Sequence, residues 1–430
     1  EVYDKIIIGD KTYDFVKGVK NFKTKMYEYF PDDIDAIDKY VQLIFDCNKT
    51  MKKFYLEKAL PTILSKLIGF FFRKNYLKYS SKTTYEVISS ITENEDLIKV
   101  LTGQYGDYGL PPKQSSFAMH ASVVKHYFNG GSFPIGGSSQ IANTIDKVIE
   151  SSQGTIVVNA EVKKIIIENN KAVGVEMIDG KKFHSDLIVS GTGVFQTYNH
   201  LIPKDISVKH GFVNNLKKVT PSVAHGCLYL GLNGTSEELD LPKNNLWIYP
   251  KDVDHDTAVS NYLKDNDSDF PLVYISFASS KDPSWQSRYP NKSTIDIITL
   301  LPYESFMKWE GTKWMKRGND YNDLKEKITN RLLDHLYKQL PHLKGKIDCH
   351  ELSSPLTTKN FVNYDKGELY GIDHNPSRFN QKFLRPQTPI KGLYLTGQDI
   401  VSAGVGGALF SGLITSASIT GINFMKKIYK

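Results

Sequence analysis

From Asp32 to about Gly109, apolar residues recur at three- and four-residue spacing and β-branched runs are few, which predicts a helical region. Within it, Leu60 to Tyr79 sets Pro61, Ile63, Leu64, Leu67, Ile68, Phe70, Phe71 and Phe72 against Lys66, Arg73, Lys74 and Lys78. This stretch is too short and too charged to span a bilayer. It fits an interfacial helix whose lysines snorkel toward head groups, and equally an amphipathic helix packed on its own domain. A loop with Pro111 and Pro112 follows, then an expected helix from Ser115 to Phe128 and the turn-rich GGSFPIGGSS of Gly130 to Ser139. Ser138 or Ser139 can cap the next expected helix, Ile141 to Glu150.

After Gly154 the pattern shortens to strands: Thr155 to Asn159, Val162 to Ile167 and Val173 to Met177, with turns at Asn169-Asn170-Lys171 and Asp179-Gly180. Asp186 to Ser190 is one more strand, emptying into Gly191-Thr192-Gly193, where backbone can approach a ligand closely. Longer strands such as CLYLGL, NLWIYP and LVYISFASS occupy about Val208 to Lys346. A helix is expected from Tyr321 to Leu340, with Leu324, Ile328, Leu332, Leu336 and Leu340 on one stripe and Pro341 as its stop. The aromatic-rich strands fit either a greasy tunnel or ordinary core packing.

Composition narrows the class without naming a function. A chain of 430 residues exceeds the usual single-core size, so two lobes or one large interleaved domain are expected. Lys plus Arg is 54 against 47 for Asp plus Glu, a modest excess with no dense basic block, so nucleic acid is not implied. Cys47, Cys227 and Cys349 lie far apart without metal or disulfide spacing, and each is expected to be a buried apolar filler. No metal site is expected. The sequence opens at Glu1 without a leader pattern, so any targeting segment is expected to lie outside it.

The chemistry concentrates in GLYLTGQDIVSAGVGGALFSGLITSASITG, Gly392 to Gly421. Leu393 to Leu395 reads as a short buried strand, Gly397 permits a tight exit, and Asp399 is a carboxylate just beyond the strand end. Gly404, Gly406, Gly407 and Ala408 then open a small-residue helix. Its free N–H groups and positive dipole suit an electron-rich group, and Asp399 can accept hydrogen bonds from sugar hydroxyls, so a flavin dinucleotide is the natural candidate. The same residues also fit a glycine-rich turn with Asp399 as a local cap.

The YLTGQD block, followed by GGAL and a small-residue helix, resembles the C-terminal flavin signature of the retinol saturase and carotenoid desaturase/isomerase family. YGLPPKQSSFAMHA from Tyr108, HYFNGGSFPIGGSSQIA from His126, SSKDPSWQSRYP from Ser279 and YGIDHNPSRF from Tyr370 agree with it in order, so the resemblance covers nearly the whole chain. It implies an α/β, two-domain fold of the FAD-dependent amine-oxidase and phytoene-desaturase type, with a discontinuous flavin domain lacking its first β-α-β unit. The expected segments are 1–130, helical part of the substrate domain; 131–205, flavin-domain segment; 206–346, substrate-domain sheet and helix; and 347–430, C-terminal flavin segment.

Carried over by position, the resemblance implies that the Val162 backbone meets the adenine and that Gly191 follows the last flavin-domain strand. Asp399 would lie near the ribityl and phosphate groups, and Gly406, Gly407 and Ala408 under the isoalloxazine. The strand, GxGxxG turn and helix that cradle a dinucleotide pyrophosphate do not occur in the sequence, and Gly191 to Gly193 and Gly404 to Gly407 have the wrong spacing to replace them. A fragment, an incomplete gene product or a degenerate homologue is therefore expected. The implied activity is FAD-dependent saturation of a double bond of retinol or a related polyene, with NADPH or NADH as electron source. Carotenoid desaturation, isomerisation and a non-catalytic lipid-binding remnant are the alternatives. Catalytic residues stay unassigned, because His120, Tyr370 and His374 fit structural hydrogen bonding as well as proton donation. The resemblance further implies association with the endoplasmic reticulum membrane, a setting in which the sequons at Asn48, Asn233, Asn266 and Asn291 would be usable.

Overall fold

The computed structural model describes residues 1–421. The strands are β1 (Val2–Ile8), β2 (Lys11–Val16), β3 (Val162–Glu168), β4 (Lys171–Met177), β5 (Lys182–His184) and β6 (Ile188–Ser190). They continue as β7 (His225–Asn233), β8 (Asn245–Tyr249), β9 (Val273–Ser276), β10 (Lys292–Leu300), β11 (Ile347–Leu352) and β12 (Leu393–Leu395). A large sheet runs β11-β7-β10-β9-β8-β1-β2, while β3-β4-β5 and β12-β6 form two smaller ones.

The large sheet separates two cores. Along β10 every second residue, Ser293, Ile295, Ile297 and Thr299, is buried, as a strand with two packed or half-packed faces requires. One face meets the Asn319–Gln339 helix through Ile328, Leu332 and Leu336. Burying leucines such as Leu332 and Leu336 stabilises by roughly 2 kcal/mol each, which is why a strongly charged helix stays on the sheet. The other core gathers Ile6 and Trp247 with the helices Val19–Tyr29, Ile34–Ala59 and Phe117–Tyr127.

Several expectations need correction. The first residues are not helical: β1 and β2 form a hairpin turning at Gly9, whose φ of 59° suits a residue without Cβ. β1 then pairs in parallel with β8, Ile6 opposite Trp247, so the hairpin extends the large sheet. The far end of that sheet is β11, which carries it to Leu352, beyond the boundary expected at 346. Thr155 to Asn159 forms no strand; Gln153 and Asn159, with φ of 62° and 53°, turn the chain at both ends. Ser138 stands at the start of the Ser139–Ser151 helix but makes no side-chain cap bond. Cys349 is exposed on β11 while Cys47 and Cys227 are buried.

The Thr62–Ser80 helix packs by its small and polar side. Ser65 and Gly69 face a buried cluster in which Arg73 meets Glu57 at 2.8 Å and Arg385 donates to Ser65 at 2.7 Å and to the Leu60 carbonyl at 2.6 Å. Its apolar side faces out, with Ile63, Leu67, Phe70 and Phe71 each more than 60% exposed. No helix among the described residues is long and apolar enough to cross a membrane.

Candidate functional site

β6 and β12 lie parallel, Leu395 opposite Ser190, and both end in glycine loops at the same edge. The Thr396 amide donates to the Ser190 carbonyl at 2.9 Å, which holds the two exits side by side. Gly193 and Gly397 take φ of 88° and 97°, a region an L side chain rarely enters. A Cβ on Gly397 would stand 3.5 Å from the Gly191 carbonyl oxygen, so these predicted residues are brought together.

Asp399 sits where the loops meet and is buried. Its Oδ2 accepts from the Val194 amide at 2.8 Å and its Oδ1 from the Ile372 amide at 3.0 Å. A Cβ on Gly371 would lie 2.0 Å from Oδ1, so only glycine lets that loop close on the carboxylate. Each oxygen thus joins one loop to another and keeps a second lone pair free to accept a further hydrogen bond. Beside it the buried Arg378 donates to the carbonyls of Ile372 at 2.6 Å and Gln398 at 2.7 Å. Arg378 lies in the YGIDHNPSRF stretch, yet its role was not readable there, because its acceptors are backbone atoms of two separate loops.

The Gly404–Thr420 helix starts next to these exits. Ser411 reaches Thr396 at 3.3 Å and Thr415 donates to the Leu395 carbonyl at 3.0 Å, so the helix is tied along β12. Gly404, Val405 and Gly406 are exposed, no side chain caps them, and no acidic residue stands in the first turn. A Cβ on Gly406 would meet nothing, whereas one on Gly407 would fall 2.1 Å from the Ser402 carbonyl oxygen; Ala408 is half-buried behind them. This open helix start, with its unpaired N–H groups and positive dipole, fits the electron-rich part of a flavin. Val162 is not part of the cluster: it opens β3 in the separate three-stranded sheet, opposite Met177. Among the described residues there is no strand, GxGxxG turn and helix for a pyrophosphate, and no group of side chains suited to a metal ion.

A second feature adjoins the first through Tyr370 and Gly371. An aromatic cavity lies between the large sheet and the 105–109 loop, lined by Trp247, Tyr274, Ile298, Tyr105, Asp107 and Tyr370 among others. The Tyr370 hydroxyl donates to the Gly106 carbonyl at 2.8 Å, closing the loop over the sheet. Gly106 is required here, since a Cβ would stand 2.6 Å from the Trp247 ring. His120 lies elsewhere, held between the hydroxyls of Tyr40 at 2.8 Å and Tyr108 at 3.0 Å, and burial pushes its pKa down to about 3. It is a structural residue. His374 accepts from the Ala403 amide through Nε2 at 3.0 Å, so it positions the start of the last helix.

Comparison with known proteins decides the family. No protein-family model matches the sequence. The all-trans-retinol 13,14-reductase of Danio rerio is 33% identical over 97% of this chain and 72% of its own length. The chain belongs to the all-trans-retinol 13,14-reductase family. That family also contains a Danio rerio protein named as an inactive all-trans-retinol 13,14-reductase, 30% identical over 97% of this chain and 71% of its own. A prolycopene isomerase of an Oncidium hybrid is more distant, 22% identical over 94% of this chain and 67% of its own. Among solved structures, cyclohexylamine oxidase from Brevibacterium oxydans aligns over 100% of this chain and 81% of its own, with a TM-score of 0.58 and 11% identity. The reductase-family chain thus has the α/β fold of the FAD-dependent amine oxidases that its sequence implied.

Proposed function

We propose that this chain is a retinol saturase-like enzyme, using FAD to reduce one double bond of retinol or a closely related polyene. The observation that carries the reading is the 33% identity to a named all-trans-retinol 13,14-reductase along 97% of the chain. The more distant isomerase makes net reduction the favoured chemistry over isomerisation or desaturation. Bound flavin would supply the hydride, with NADPH or NADH as electron source. Gly191, Gly397, Gly406, Gly407 and Ala408 would hold it by close backbone approach, Asp399 and Arg378 would fix the loops around it, and Val162 would be its adenine contact. The aromatic cavity would take one end of the polyene: about 150 Å³ is below the several hundred typical of a pocket enclosing a whole ligand.

The exposed side of the Thr62–Ser80 helix is read as a membrane-surface element, Ile63, Leu67, Phe70 and Phe71 entering the acyl boundary with Lys66, Lys74 and Lys78 near head groups. It would collect a lipid substrate at the endoplasmic reticulum membrane. A second reading, polyene binding without catalysis, is favoured by the inactive relative. The visible spectrum of the purified chain after addition of FAD separates them. A flavin spectrum that survives gel filtration, is bleached by a chemical reductant and returns as retinol is reduced supports the enzyme; a colourless protein that still binds retinol supports the second reading and overturns the first.

A further inference from the structure

We propose that Asp107 is the proton donor for the reduction, the residue forming part of the wall of the cavity that Trp247, Tyr274 and Tyr370 also line. The inference rests on the polyene reading and adds the acid that reading lacks. Asp107 lies in the loop that Tyr370 clamps over the sheet, and it lines the cavity. Its Oδ2 is shut away from solvent and has no hydrogen-bond partner, an arrangement rare for a buried carboxyl and found where a group serves a ligand or a reaction.

The surroundings keep that carboxyl neutral. Burial, followed by the nearby Asp4 carboxyl, pushes its pKa up to about 8, outweighing the Tyr127 hydroxyl that approaches it. The other groups facing it are the phenols of Tyr3, Tyr108, Tyr249, Tyr274 and Tyr370, none of which supplies positive charge. His225 also lines the cavity, but burial holds its pKa down at about 4, so it is neutral and not an acid at pH 7. Of the remaining candidates in the cavity, the hydroxyls of Tyr370, Tyr105 and Thr299 already donate to the carbonyls of Gly106, Pro271 and Leu272, and burial pushes the Tyr274 phenol further up from its already weakly acidic range. Asp107 alone combines an available proton, a cavity wall and an acidity suited to neutral pH.

The step balances. The Asp107 O–H bond breaks as a C–H bond forms at one alkene carbon, while the flavin, when bound and reduced, would supply the hydride for the other carbon and give up two electrons. The π bond is lost, and Asp107 is left as a carboxylate that water reprotonates.

The test uses the full chain, its D107N and D107E variants, and all-trans-retinol in detergent micelles as the probe. Quenching of tryptophan fluorescence that is lost in W247F reports binding at Trp247, and infrared difference spectra report the carboxyl. The expected results are that wild type binds retinol, that a protonated-carboxyl band titrating near pH 8 shifts on binding, and that D107N binds retinol but lacks the band. With flavin loaded, saturation falls on the order of 100-fold or more in D107N and is partly restored in D107E. Absence of retinol binding by wild type sinks the polyene reading itself. Retinol binding with a band that does not respond, or that persists in D107N, overturns the assignment alone; the wild-type spectra decide the matter even when D107N fails to fold.

Discussion

Gly371 and Asp399 meet so closely that neither can change without the other moving. With a φ of 64° and a Cβ position 2.0 Å from Oδ1, Gly371→Ala should lower stability by about 2 kcal/mol or more, read as a shift of the urea midpoint. Asp399→Asn replaces one acceptor by a donor facing a backbone N–H, and loss of a charge-assisted bond in a buried site costs about 2 to 3 kcal/mol. Its effect on FAD affinity should follow from the disordered loops. Asp107 gives a pH prediction. Its pKa is raised in the fold to about 8 from the ordinary carboxyl value of 3.8, so the stability its neutral form contributes is complete below about pH 4 and drains as pH rises toward 8. Urea unfolding at pH 5, 7 and 9 should show wild type losing stability across this interval more steeply than D107N; parallel slopes would remove Asp107 as the source. Nothing in the sequence singles this residue out: a lone aspartate in a loop has no spacing signature, and the burial that raises its pKa comes from elements far along the chain, Trp247 and Tyr274 on the large sheet among them.

At the scale of elements, the Thr62–Ser80 helix behaves opposite to the usual rule, turning its polar side inward around Glu57, Arg73 and Arg385. Changing Leu67, Phe70 and Phe71 together to serine should abolish flotation with liposomes while leaving the thermal midpoint nearly unchanged, because surface changes away from such clusters usually fall within about 0.5 kcal/mol. Arg385→Ala should do the reverse, destabilising the helix contact by leaving the buried Glu57 short of a partner. Elements with strong local signals were readable from sequence: Leu393 to Leu395 is the strand β12, the glycine-started helix follows it, and Asn169-Asn170 turns β3 into β4 with both residues at positive φ. Elements that depend on distant partners were not. VYDKIII has ample strand propensity, but its place in the sheet depends on β8, and Thr155 to Asn159 has similar propensity and no strand to pair with.

For the whole molecule, the large sheet is the wall against which both cores and the aromatic cavity are built, and the β1–β2 hairpin is part of that wall. Asp4 on β1 accepts from Gln104 at 2.7 Å and from Asn245 at 2.8 Å, tying the hairpin to the helical lobe and to β8 together. Deleting residues 1–17 should therefore yield aggregated protein, as judged by gel filtration, where trimming an unattached tail would leave a monodisperse one. The same tie sets a timetable for synthesis. β1 leaves the ribosome long before its parallel neighbour β8, which begins at Asn245, and at roughly 5 to 20 residues per second the wait is on the order of tens of seconds. Throughout that interval a strand reading VYDKIII has one edge unpaired, so the nascent chain is a natural client for a holding chaperone, and its yield should depend on how fast the ribosome reaches β8.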